Sequence, residues 1–127
     1  MTSEDISNKF CKDVLALDES LTFCCLVDSL GNVIASEYKE APLLDEKEAE
    51  QYAIQMTLSA ALLSLFEPKM GGIRYMVTYR DRVNQITAPV LAGDHKLFLL
   101  LLVDIDSDVV SLMGDRILPF IGRSSLF

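Results

Sequence analysis

LDEKEAEQYAIQMTLSAALLSLF, residues 44–66, reads as one long helix from about Asp45 to Phe66. Asp45 is a good N-cap, and Glu48, three residues on, completes a capping box. Glu46 and Glu48 stand in the first turn, at the positive end of the helix dipole. Pro68 and the Gly71-Gly72 pair stop it. At about 1.5 Å per residue the helix is roughly 33 Å long, the width of a small domain. Placing residues every ~100° around its axis gives two apolar faces. Ala49, Tyr52, Ala53, Met56, Ala60 and Leu63 share one; Ile54, Leu58, Ala61, Leu62 and Leu65 share the other. A helix apolar on both sides is buried on both sides. One side covers its own domain. The other needs a cover that this chain is too short to supply, which points to a partner subunit.

Before this helix, Ser3–Asp18 reads as a first helix, capped by Thr2 or Ser3. Ile6, Phe10, Val14 and Leu17 give it one apolar stripe. Phe23–Tyr38 reads as a β-hairpin. Its first arm, FCCLVD, is apolar throughout and suits a central strand. Ser29-Leu30-Gly31-Asn32 is the turn, with Gly31 or Asn32 at positive φ.

After the helix, Ile73–Arg80 has strand composition. Val83–Leu91 follows, with Pro89 suggesting an edge or a bulge. Ala92-Gly93-Asp94 marks a turn, and the run LFLLLLV within Lys96–Asp104 reads as a strand buried on both faces. Asp106-Ser107-Asp108 caps a last helix, Val109 to about Phe120, with Val110, Met113, Ile117 and Phe120 inward and Gly122 as a stop. Arg123–Phe127 reads as a frayed tail. The order is α-ββ-α-βββ-α. It predicts an α+β sandwich whose sheet has five mostly antiparallel strands, with the long helix as crossover and helices at both ends. Residues 1–127 form a single domain with a core of about 4–121 and a tail of 122–127.

Composition narrows the function. Half the residues are hydrophobic, which excludes a disordered chain. A net charge of −8 argues against nucleic acid and against an anionic membrane surface. Met1–Lys9 is polar and acidic, unlike a signal peptide, and no apolar run approaches a membrane span. Cys11, Cys24 and Cys25 have no framework spacing and fit small buried residues in a reducing cytoplasm.

The inventory for catalysis is thin, and the chain reads as a non-enzyme. His95 is the single histidine, in a turn, without a spaced companion for a metal or a triad. No phosphate-cradling glycine motif occurs. Asp45, Glu46, Glu48 and Glu50 lack the spacing of a calcium loop and suit a helix start. Asp104, Asp106 and Asp108 suit a cap. No cofactor and no metal is expected. Arg74, Arg80, Arg82 and Arg116 remain as polar candidates; Arg74 and Arg80 share one strand face, where they are either solvated strand positions, the plainer reading, or a pair for a partner's acids or for phosphate.

Val27-Asp28-Ser29-Leu30-Gly31-Asn32-Val33-Ile34-Ala35, with MTLSAALLSLF and the element order, resembles the roadblock/LC7 superfamily over roughly residues 4–121. PLLDEKEAEQYAIQ, followed by RYMVTYRDRV, also looks like small uncharacterised archaeal roadblock-like proteins. Profilin-like and PAS-like sensor domains share the hairpin motif. The resemblance implies a dimer in which long helices pack antiparallel and third strands pair edge to edge. On that reading Ala49, Tyr52, Ala53, Met56, Ala60, Leu63, Arg74, Tyr75, Met76 and Val77 form the dimer interface, and the Ile/Leu face covers the sheet. The reverse assignment of the two helix faces stays open. The resemblance also implies a cytoplasmic, non-catalytic scaffold or regulator of a small GTPase or signalling complex. The alternative is a PAS- or profilin-like small-molecule sensor.

Overall fold

The structure is a computed structural model that describes residues 3–40 and 42–124. Helix α1 spans Ser3–Leu15, and the hairpin strands β1 and β2 span Leu21–Val27 and Val33–Tyr38. The long helix α2 spans Glu46–Leu63. A 3₁₀ turn, Ser64–Phe66, and a single helical turn, α3 (Glu67–Met70), follow. Strands β3 (Met76–Tyr79), β4 (Asn84–Ala92) and β5 (His95–Val103) complete the sheet. The chain closes with α4 (Val109–Leu112), a π-helical turn over Met113–Ile117, and α5 (Leu118–Arg123). The Thr2 cap and residues 125–127 of the expected tail lie outside the described residues.

The sheet runs in the order β2-β1-β5-β4-β3, and every neighbouring pair is antiparallel. The α+β architecture read from the sequence is present. LFLLLLV is the central strand β5, and the pleat explains its unbroken apolarity. Leu97, Leu99, Leu101 and Val103 face one side of the sheet, where Phe10, Val14, Leu112, Met113 and Ile117 cover them. Phe98, Leu100 and Leu102 face the other, beneath α2. Each large aliphatic removed from water this way stabilises by about 1.5–3 kcal/mol.

Several expected boundaries move, each for a local reason. The capping box at Asp45 and Glu48 forms, with Asp45 accepting from the Glu48 amide at 2.8 Å and Glu48 from the Asp45 amide at 3.0 Å. At the far end, Pro68 has no amide hydrogen and crowds the carbonyl one turn back, so α2 tightens into the 3₁₀ turn before Phe66. Pro89 stands in an interior strand. Pairing of β3 with β4 ends at Met76 opposite Thr87, however, so β4 is an edge locally at Pro89. In the last helical segment the π turn shifts the face. Val109 and Leu112 are buried with Met113 and Ile117, whereas Val110, expected inward, is exposed. Gly122 does not stop the helix, which continues to Arg123.

Candidate protein-interaction surface

Two features stand near each other, since Ala60 towards the end of α2 and Met76 at the start of β3 line one hollow. The first is the helix itself. Ala49, Ala53, Thr57 and Ala60 are its buried residues, and the three alanines pack on Phe23, Cys25, Val27, Phe98, Leu100 and Leu102. The alanine face therefore turns toward the chain's own sheet, which corrects the expectation that Ala49, Ala53 and Ala60 face outward. The physical reason lies in β5 and β1, which put Phe98, Leu100 and Phe23 under the helix. Large residues on the sheet leave room for small ones above. Tyr52 and Met56 flank this contact, half-buried. Thr57 is buried without cost because its hydroxyl donates to the Ala53 carbonyl at 2.8 Å.

Ile54, Leu58, Leu62 and Leu65 consequently point to solvent. Leu58 is 61% exposed and Leu62 68% exposed. Leu63, the last residue of α2, is exposed as well, and Phe66 and Met70 extend the apolar surface past the helix end. A contiguous apolar stripe of this kind marks an interaction surface more often than an isolated exposed leucine does.

The second feature is β3. It lies at the end of the sheet order and, among the described residues, pairs only with β4. Its second row of backbone groups is thus left without a strand. Met76 packs toward the α2 side, and Tyr75 and Val77 pack toward the opposite core. Arg74 is exposed. Arg80 is tied down instead, donating through Nε to the Gln85 side chain. Arg116 belongs to the fold: it donates to the Leu17 carbonyl at 2.7 Å and approaches Asp18 at 3.9 Å. Arg82 is exposed.

The hairpin motif has a mechanical explanation. Asp28 accepts from the backbone amides of Leu30 and Asn32, both at 2.9 Å, and from the Asn32 side chain at 3.0 Å. Burial raises its pKa, but these donors outweigh that cost and hold the carboxyl below its ordinary value. Gly31 has φ +89°. A Cβ there would lie 3.2 Å from Ile54 Cα, so the turn presses directly on α2. Sequence reading found the motif but not this contact, because no local pattern reports what a turn touches.

The remaining candidates separate. Cys24 and Cys25 point to opposite faces, as adjacent strand residues must, and all three cysteines are free and buried. Burial pushes the Cys25 thiol up to about 12 and raises that of Cys24 well above its usual range. His95 is exposed at the start of β5. Among the described residues no cluster of three or more His, Cys, Asp or Glu could hold a metal. None of the described helices is long and apolar enough to cross a membrane.

No family model matches the sequence, and no curated protein matches it either. Solved structures do. A roadblock/LC7 domain from Streptomyces avermitilis superposes with a TM-score of 0.70 at 16% identity, over 91% of this chain and 91% of that one. The chain has the roadblock/LC7 fold. The gliding protein MglB from Thermus thermophilus gives a TM-score of 0.73 at 20% identity, over 97% of this chain and 90% of that one. An MglB with a tetrameric arrangement gives 0.71 at 19%, over 90% and 83%. At these identities the roadblock/LC7 likeness is one of fold.

Proposed function

We propose that this chain is a non-catalytic, cytoplasmic interaction module that works as a homodimer, as scaffold or regulator of a small GTPase or signalling complex. The observation that carries this reading is the outward stripe Ile54, Leu58, Leu62 and Leu65, close to a β3 edge that has no strand beside it. An antiparallel α2 pair would remove those side chains from water. Edge-to-edge pairing of β3 would satisfy the open backbone row, with Met76 and Val77 of the strand, and Arg74 and Tyr75 just before it, beside the two-fold axis. The tetrameric arrangement of one MglB supports assembly in general. The GTPase role, and a nearest likeness to the archaeal roadblock-like group, come from the sequence resemblance.

Sedimentation velocity tests the dimer. Wild type at tens of micromolar should sediment as a dimer, and Leu58→Glu as a folded monomer. A strictly monomeric wild type overturns the dimer. Capture from the native host's lysate, with a GTP analogue or with GDP, tests the partner. A small GTPase retained in one nucleotide state supports the reading. No GTPase, from a lysate known to contain them, removes it.

A further inference from the structure

The sheet has a second open edge, at β2, far from β3. On the α2 side of that edge lies a groove of about 510 Å³. Helix α2 stands over β1 and β5, so it leaves the outer strand half covered. Val33, Ser36 and Tyr38 of β2 line the groove, together with Pro42 and Leu44 of the connector. The helix wall carries Asp45, Glu46 and Glu50, and among the described residues no lysine or arginine lines the groove. Asp45 is partly occupied by its cap; Glu46 and Glu50 are exposed. Tyr38 reports the local field. Burial raises its phenol first, and the neighbouring Cys25, Asp45 and Glu46 raise it further.

We propose that this groove binds an extended segment of a partner protein, added as a sixth strand beside β2, with Lys or Arg side chains facing the Asp45–Glu50 wall. A strand added at an edge gains main-chain hydrogen bonds, and the groove supplies its selectivity. The groove takes every second side chain of such a segment, which suits small apolar residues. The carboxylates on one wall set the sign of the flanking charge, and the net charge of −8 favours the same encounter at longer range. The site sits at the opposite end of the sheet from β3. It is therefore present in monomer and dimer alike and does not depend on the proposed dimer.

The test is a titration of the full chain with a fluorescein-labelled nine-residue peptide of alternating lysine and valine, read by anisotropy and by amide chemical shifts. Saturable binding should weaken with salt. Shifts should concentrate on Val33–Tyr38 and Glu46–Glu50. Glu46→Lys with Glu50→Lys should weaken binding by about tenfold, as two reversed rim charges do. The same peptide with every internal amide N-methylated should lose binding, which separates strand addition from charge attraction alone. No binding at millimolar peptide, shifts elsewhere, or equal binding by the double variant or the methylated peptide overturns the proposal. Because sedimentation decides the dimer separately, failure of one leaves the other readable.

Discussion

Gly31 shows how one residue can serve two elements. Its φ of +89° lets the β1–β2 turn close, and its missing side chain lets that turn rest on Ile54 Cα. Gly31→Ala meets both conditions at once. The backbone conformation alone costs about 1–2 kcal/mol, and the 3.2 Å approach adds to it. A loss of about 2 kcal/mol or more in urea unfolding is expected. The cysteines make the converse case, of reactive chemistry silenced by place. With Cys25 pushed up to about 12 and all three thiols buried, none should react with a disulfide reagent near pH 8 until the chain unfolds. All three should react in guanidinium. Rapid native labelling would contradict the burial.

At the scale of elements, α2 separates two kinds of substitution. Ala53 is fully buried against the sheet, so Ala53→Leu overpacks a closed contact and should cost about 1–3 kcal/mol without a specific effect on assembly. Leu58→Glu, on the outer face, should do the reverse. Comparing unfolding midpoints with sedimentation for the two variants checks the assignment of faces. Sequence reading recovered α2, its capping box and both apolar faces, because periodicity and capping are local. It could not orient the helix, since alanine suits a close helix–helix contact and a close helix–sheet contact equally. What decided the matter was Phe23 and Phe98, on strands remote in sequence. The same limit applies to Val110. A π turn adds a residue to the helical repeat, and no residue in MGDRI announces it. Pro89 did signal an edge, but a local one, because β3 pairs with β4 only as far as Thr87.

For the molecule as a whole, acid should weaken the fold in a defined window. Asp18 is held below its ordinary value first by the Ser20 amide, Asp108 first by the Ser111 amide, and Asp28 by the turn amides against a burial cost. Lowered carboxyls contribute stability that is fully present above the unfolded value of 3.8 and is lost as pH falls through the folded values. Urea midpoints should thus hold between about pH 7 and 5 and fall below about pH 4, while relief of the −8 charge works weakly the other way. Asp28→Asn should flatten part of that fall. The two-sidedness of α2 also bears on how such a protein can change over generations. Its inner face is held by alanines that admit almost no replacement, and its outer face is made of Ile54 and of leucines that lie mostly in solvent. Mutations can therefore accumulate on the outer face and trade one partner for another while the inner face, and with it the solubility and lifetime of the protein, stays as it was.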